Sequence, residues 1–381
     1  MNEGWTPGAT GFLPSCDPLR MLPDSFAAWE EASSLLPKVL VSGRARQILA
    51  ALPILEAGEL SGSREIERAM LLLSFLSHGF VWAEPEQPAS VLPECLARPW
   101  YAVATALGRK PVLSYASYAL HNWFRVDPSA PVELGNVALL QNFLGGADEE
   151  WFVAIHIAIE AQAAPALMEF EAAQSAVAVG DDARLEICLS TIAGSLQWMV
   201  STLARTPEWC DPYIYYRRVR PFIHGWKGHP GLTDGLVYTG VPEFAGEPQC
   251  FRGETGAQSS IVPALDALLA VQHGIDPLRK YLDEMRDYMP PAHRAFIERA
   301  ERRGGVRDFV LDSGRPYLRA AYNECVEQLM RFRNQHLEFA ASYIHSQASV
   351  GHANPTDVGT GGTPFMAYLK KHQKETGAHK T

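Results

Sequence analysis

Apolar residues recur three and four positions apart along most of the chain, which is the spacing that lines one face of an α-helix. This pattern predicts helices over 25–40, 44–56, 63–84, 93–107, 115–122, 134–145, 149–175, 181–204, 257–273, 276–288, 291–303, 316–347 and 364–375. Two-residue alternation is nearly absent, and LVYTGV (236–241) is the best candidate for a strand. The predicted fold class is therefore all-α.

Three irregular stretches interrupt this helical pattern. GGADEE (145–150) is a candidate boundary between a smaller N-terminal domain, 1–145, and a larger C-terminal domain, 146–381. The long segment 224–256 is rich in glycine but also carries aromatic residues, which predicts an ordered functional loop. The third stretch, 346–362, is expected to be more mobile.

Composition places the chain among globular proteins and narrows its partners. Of its 381 residues, 47% are hydrophobic and 20% charged, and the net charge of −10 argues against nucleic acid as the main partner. The longest apolar stretch, 69–82, is too short to span a bilayer and carries His78, so no membrane partner is expected. Six scattered cysteines without a CxxC pair suit reduced thiols, and the expected location is the cytoplasm.

One histidine lies within an apolar helical stripe near the C-terminus. The stripe consists of Leu329, Phe332, His336, Phe339, Ala340, Tyr343 and Ile344. A histidine on such a face is either a core residue with hydrogen-bonded ring nitrogens or a neutral metal ligand. Arg333, one turn earlier, could pair with the anionic edge of a cofactor or could be a surface residue.

A second histidine lies inside the predicted helix 149–175. Phe152, His156 and Glu160 are spaced four apart and share one face. An i,i+4 His/Glu pair can bind a divalent metal, and it can equally be a core histidine hydrogen-bonded to the glutamate. Periodicity leaves both interpretations open.

Tyrosines and arginines alternate in DPYIYYRRVRPF (211–222). Such a stretch suits a planar aromatic ligand that carries a carboxylate, held by stacking and a bidentate ion pair. The alternative is a solvated arginine face, which fits Arg217 and Arg218 better than Arg220, since Arg220 lies between Val219 and Pro221. The motifs of P-loops, of α/β-hydrolases, of HExxH metalloproteases and of dinucleotide-binding folds do not occur.

Six stretches together resemble the indoleamine 2,3-dioxygenase family of heme enzymes. They are KPVLSYASYALHNW (110–123), GWKGHPGLTDGLVY (225–238), GAQSSIVPALDALL (256–269), MRDYMPPAHRAF (285–296), FRNQHLEFAASYI (332–344) and GTGGTPFMAYLK (359–370). The resemblance extends over nearly the whole chain. It implies an all-helical protein whose large domain encloses heme b between its helices.

The resemblance also implies roles for individual residues. It makes His336 the proximal iron ligand, with Arg333, Asp266, Thr255 and Gly256 as further heme-binding residues. It makes Arg220 the partner of the substrate carboxylate. It lines the substrate pocket with Tyr115, Tyr118, Phe152, Tyr215, Tyr216 and Thr360, and it puts His156 on the distal side as a candidate catalytic residue.

The implied reaction inserts both atoms of dioxygen across the indole C2–C3 bond of L-tryptophan or a related indoleamine. The product would be N-formylkynurenine, and an electron donor would keep the iron ferrous. Animal members carry a small hydroxyl residue in place of His156, phenylalanine in place of Tyr215 and a small residue in place of Tyr118. The alternatives are therefore a heme enzyme that monooxygenates or rearranges an indole, as the pyrrolnitrin-pathway enzyme does, and a heme sensor without turnover.

Overall fold

The structure, a computed structural model, describes residues 4–84, 86–274, 277–347, 360 and 365–381. Helix accounts for 63% of the structure, and the strands in its described part are only two residues long. The predicted all-α class is therefore confirmed.

The N-terminal part contains five α-helices and one π-helical turn. They are α1 (Ala27–Ser34), α2 (Leu36–Val41), α3 (Ala45–Ala50), α4 (Gly62–Trp82), α5 (Glu94–Ala106) and the turn Ala116–Leu120. Every residue of α4 from Arg68 to Trp82 is buried. The longest apolar stretch of the sequence is thus the central helix of a packed core.

The C-terminal part contains the longest helices. They are α6 (Ala147–Met168), α7 (Phe170–Val179), α8 (Asp182–Leu203), the short α9 (Pro212–Ile214), α10 (Ile261–Leu269), α11 (Pro277–Arg286), α12 (Pro291–Arg303), α13 (Val306–Ser313), α14 (Pro316–Ala340) and α15 (Phe365–Gly377). Helix α8 packs along both α6 and α14, and α15 packs on α14. The predicted single helix over 149–175 is divided at Glu169 into α6 and α7.

Four two-residue strands form two small ladders. β1 (Val91–Leu92) pairs in parallel with β4 (Val237–Tyr238), which lies inside the predicted strand 236–241. β2 (Phe124–Arg125) pairs antiparallel with β3 (Val137–Ala138).

The helix predicted over 134–145 is wrong. The segment forms β3 and then turns toward α6, because side chains outside the segment accept hydrogen bonds from its backbone N–H groups. The buried carboxyl of Glu149 accepts from the N–H groups of Phe143 and Leu144 at 2.7–3.0 Å. A second difference is α13, which lies between the predicted helices 291–303 and 316–347 and was not predicted.

Two large clusters of buried side chains form the core. One surrounds α4 and α5 and includes aromatic residues of the 224–256 loop, and the other joins α6, α7, α8, α10, α12, α13 and α14. In that loop the Trp226 indole N–H donates to the Tyr238 hydroxyl at 2.9 Å, and this hydroxyl donates to the Pro111 carbonyl at 2.6 Å. The prediction that the loop is ordered is confirmed, whereas the domain division after residue 145 stays a prediction.

Two helical runs, Ala147–Val179 and Asp182–Glu208, are long and apolar enough to cross a membrane by length and composition alone. In their most apolar windows, 61% and 50% of the residues are buried inside the protein. Core helices of globular proteins have this property, so the two runs are weak evidence for a membrane.

Candidate active site

A cavity of about 630 Å³ lies between α6, α10, α14, α15 and the loops before α10. Its volume is in the range of small-molecule and cofactor sites. Of the site residues predicted from sequence, eleven line it, namely Tyr115, Phe152, His156, Tyr215, Arg220, Thr255, Gly256, Asp266, Arg333, His336 and Thr360.

Two predicted pocket residues are not among those lining the cavity. Tyr118 is buried and stacks on Phe75, with ring centroids 6.0 Å apart. Tyr216 is fully buried, and its ring lies 5.5 Å from the guanidinium carbon of Arg220. Tyr216 therefore packs behind Arg220, which lines the cavity, whereas Tyr118 packs on a residue that does not line it.

His336 projects from α14 into this cavity. Phe332, Phe339, Ala340 and Tyr343 of the same apolar stripe also line it, so the helical face predicted from sequence is the cavity wall. The ring of His336 is accessible, and the space that it meets is the cavity. Desolvation by the surrounding protein and, to a smaller extent, the charge of the nearby His156 lower the pKa of His336 to about 4. The imidazole is therefore neutral at pH 7, the form that binds metals.

Arg333 joins α14 to α10 and to α15. Its guanidinium donates to Asp266 Oδ2 at 2.6 Å and to the hydroxyl of Thr376. Burial acts to raise the pKa of Asp266, but the positive charge of Arg333 and a hydrogen bond from His273 outweigh it and lower this pKa to about 2. The pair is thus a buried, ionised bridge one helical turn from His336.

A cluster of His273, His372 and Glu375 lies beside this bridge and was missed in the sequence. Nδ1 of His273 is 2.7 Å from Glu375 Oε2, and the two histidine rings stack at 4.3 Å. Their candidate ligand atoms lie within 4.8 Å of one another. Stacked rings direct their in-plane lone pairs alongside each other, which favours a packed polar cluster over a shared metal ion. No periodic motif in the sequence joins these residues.

His156 projects from α6 into the same cavity. Its Nδ1–H donates to the Phe152 carbonyl at 2.7 Å, so Nε2 of the neutral ring is an acceptor. Burial lowers the pKa of His156, which keeps the ring neutral at pH 7. The Tyr115 ring meets it edge-on, with centroids 6.0 Å apart.

The alternative pairing of His156 with Glu160 does not form in the described part of the chain. Glu160 instead accepts from the Ser259 hydroxyl at 2.9 Å, and Tyr115 also hydrogen-bonds to this carboxyl. Burial raises the pKa of Glu160 to about 7 against these two hydrogen bonds. His156 is therefore held by its own helix and not by the glutamate.

Aromatic rings and one arginine line the side of the cavity near α6. Phe152 and Tyr215 lie 4.5 Å apart between centroids, and Tyr343 meets Tyr215 edge-on at 5.9 Å. Arg220 opens a short 3₁₀ turn, Arg220–Ile223, and is fully buried. Burial lowers its pKa, but from so high a value that the guanidinium remains charged.

The loops on this side are held together by backbone contacts. A β-carbon on Gly225 would lie 2.1 Å from the Gly253 nitrogen, so this crossing admits only glycine. The Glu254 N–H donates to the Ile223 carbonyl at 3.0 Å, and the Thr360 hydroxyl donates to the Glu254 carbonyl. These bonds join three segments that are distant in sequence at one cavity wall.

Thr255 and Gly256 follow directly on this wall. The Thr255 hydroxyl accepts from the Ala257 N–H at 3.4 Å and begins a short 3₁₀ turn, Gly256–Gln258. Glu254 itself lines the cavity and was missed in the sequence, where only its position before Thr255 hinted at a role. Most of the stretch 346–362, predicted to be mobile, lies outside the described residues, and within the motif 359–370 the structure describes Thr360 and the residues from 365 onward.

The residues around the cavity fit a heme. His336 offers one accessible neutral nitrogen for an iron, and the flanking apolar side chains suit a porphyrin face. At the Arg333 end, His372 Nε2 is buried and finds no hydrogen-bond partner within the described ranges. A polar end with a cation suits the heme carboxylates.

Comparisons of the sequence with known proteins identify its family. The family described as indoleamine 2,3-dioxygenase matches residues 7–379. The chain is 35% identical over 372 residues to indoleamine 2,3-dioxygenase 2 of Homo sapiens, covering 94% of this chain and 90% of that protein. It is 36% identical over 371 residues to indoleamine 2,3-dioxygenase 1 of Rattus norvegicus, with the same coverage. It is 33% identical over 383 residues to the 6-hydroxytryptophan 2,3-dioxygenase of Fusarium equiseti, covering 95% and 93%.

Proposed function

The chain belongs to the indoleamine 2,3-dioxygenase family and is a heme-dependent dioxygenase that acts on indoles, and we propose that its substrate is L-tryptophan. The product is then N-formylkynurenine, and the reaction is the first step of the kynurenine pathway. Each chain holds one heme b. Dioxygen is the second substrate, and an electron donor keeps the iron ferrous.

One observation carries this proposal: His336 and Arg220 line the same cavity. A heme ligand alone would suit a sensor as well as an enzyme. A buried guanidinium in the same space suits the carboxylate of an amino acid, which a sensor does not need.

We assign the roles of the residues as follows. His336 binds the heme iron, and Arg333 with its partner Asp266 supports the heme carboxylates, beside Thr255 and Gly256. When bound, heme activates dioxygen for insertion into the indole C2–C3 bond. Arg220 binds the substrate carboxylate, and Phe152, Tyr115 and Tyr215 hold the indole and exclude water.

We place Tyr118 and Tyr216 behind the residues that line this pocket. The Thr360 hydroxyl donates to the carbonyl of Glu254, the residue before Thr255. The Thr360 bond fixes the position of this wall before substrate arrives, which lowers the ordering cost of binding. We propose that the protein is located in the cytoplasm, and its six cysteines, which are all free thiols, support this location. Nucleic acid and membrane are not expected as partners.

A second candidate is a heme enzyme of the same fold with a different outcome on tryptophan or on another indole. Three bulky residues favour it, namely His156, Tyr118 and Tyr215, where animal members have smaller or less polar ones. A fungal relative is named a 6-hydroxytryptophan 2,3-dioxygenase, so substrates within this family differ.

The product formed from L-tryptophan tests the proposal. The ferrous protein in air is expected to convert L-tryptophan to N-formylkynurenine, identified by mass spectrometry. A hydroxylated or rearranged indole as the main product would favour the second candidate, and no turnover would favour the sensor.

His156→Ser is expected to keep heme and measurable dioxygenation but to bind L-tryptophan more weakly. In our account Nε2 of the neutral ring accepts a hydrogen bond from the indole N–H and orients C2 and C3. Loss of one such bond costs about 1 kcal/mol, or roughly fivefold in affinity. The measurement is the ratio of dissociation constants for L-tryptophan and 1-methyl-tryptophan, which has no N–H.

The same variant separates a binding role from a structural one. A structural histidine would lower the melting temperature and leave the ratio unchanged. An unchanged ratio would therefore remove His156 from the substrate site.

A further inference from the structure

Glu254 is a buried carboxyl on the cavity wall that has no part in the roles assigned above. The residue is 4% exposed and lines the cavity. No hydrogen bond reaches its carboxyl oxygens from the described residues, and burial alone raises its pKa to about 8. A buried carboxyl without a partner destabilises the empty protein, so its presence at a ligand cavity points to a polar partner on the ligand.

The backbone of Glu254 is tied to the turn that carries Arg220. Its N–H donates at 3.0 Å to the carbonyl of Ile223, the last residue of that turn. Its own carbonyl accepts from the Thr360 hydroxyl. The positions of Glu254 and Arg220 are therefore fixed relative to each other by short local contacts.

The two side chains act on one tyrosine from the same cavity. After burial, the largest cause of the raised pKa of Tyr215 is the negative charge of Glu254, and the positive charge of Arg220 opposes it. No ion pair joins Glu254 to Arg220 in the described structure, and Arg220 does not contribute to the pKa of Glu254. Glu254 and Arg220 thus line the same cavity without forming an ion pair with each other.

An α-amino acid carries an ammonium and a carboxylate on the same carbon, and a cavity with one fixed cation and one separate carboxyl can bind both. We propose that Glu254 binds the α-ammonium group of the substrate while Arg220 binds its carboxylate. The cavity then selects free amino acids over indoles that lack either group. This inference rests on the proposed function, because it takes Arg220 as the carboxylate partner.

Binding of the ammonium requires Glu254 to ionise, so it releases a proton below pH 8. The tyrosines that feel the charge of Glu254 are Tyr115, Tyr118 and Tyr215, and burial raises their pKa values so far that they stay neutral. Arg220 stays charged, and the buried Glu160, with a pKa of about 7, is the other acid behind this wall. Affinity for L-tryptophan is therefore expected to rise with pH up to about 8, and a Glu254 variant separates this effect from Glu160.

Glu254→Gln in the oxygen-free holoenzyme tests the proposal through binding alone. The variant is expected to lose about tenfold in affinity for L-tryptophan and for tryptamine, the loss of one charge-assisted hydrogen bond. Indole-3-propionate has a carboxylate but no ammonium, and its affinity should stay unchanged. Glu243→Gln, an exposed residue of the 224–256 loop, is the matched control and should change none of the three.

Equal losses for all three ligands, or no loss for L-tryptophan, would overturn the assignment. Calorimetry of the unmodified holoenzyme in two buffers of different ionisation enthalpy needs no variant. At pH 7, L-tryptophan should release close to one proton and indole-3-propionate none, and equal release would contradict the proposal. Neither experiment depends on the product, so an unexpected product would refute the proposed function and leave this assignment standing.

Discussion

Replacing His336 by alanine is expected to yield a protein that purifies with little heme. The substitution removes the protein nitrogen that binds the iron in our account, and alanine is too short to replace it. Removing a residue that only hydrogen-bonds to a metal ligand lowers the affinity for the metal about 10- to 100-fold. Removing the ligand itself should lower it more. Heme content per chain and the Soret absorption band of the purified variant give the result.

His345→Ala is the matched control for that variant. His345 is exposed on the π-helical turn Ala341–His345 that continues α14, so its loss should leave heme content unchanged. Added imidazole should restore heme to the His336→Ala protein by filling the space left by the ring. Full heme and an unaltered Soret band in His336→Ala would show that another group binds the iron.

Arg220→Ala is expected to weaken the binding of L-tryptophan far more than the binding of indole. Arg220 is fully buried on the cavity wall, where a charge-assisted pair with a carboxylate is worth about 1.5–3 kcal/mol. That corresponds to roughly one to two decades in the dissociation constant. Indole has no carboxylate and should lose little.

Arg218→Ala provides the control on the same segment, because Arg218 is exposed. It should bind both ligands as the unmodified protein does. Circular dichroism and heme content establish that Arg220→Ala is folded. Equal losses for L-tryptophan and indole would mean that Arg220 supports the cavity without contacting the carboxylate.

Helical periodicity was sufficient to group the cavity residues that lie on one face of a single helix. The stripe around His336 repeats every three or four residues, and the structure places that face on the cavity. The same holds for Phe152 and His156 on α6. Single-helix geometry is fixed by local sequence, so these residues could be grouped before any tertiary contact was known.

Contacts between distant segments could not be predicted from periodicity. The 134–145 segment has a helical pattern, but the Glu149 carboxyl binds two of its N–H groups and stabilises turns. Glu254 has no pattern of its own, and its position depends on Ile223 and Thr360. Tyr118 was assigned to the pocket by the family resemblance, and it is not among the residues that line the cavity, since its ring packs on Phe75.

The decisive measurement is the mass of the product that this protein makes from L-tryptophan under labelled dioxygen. The reduced holoenzyme is incubated with L-tryptophan and ¹⁸O₂ in unlabelled water, and the product is analysed at once by mass spectrometry. We expect N-formylkynurenine that carries two labelled oxygen atoms. A product with one labelled atom or none would contradict dioxygenation and assign this protein a different reaction on the indole.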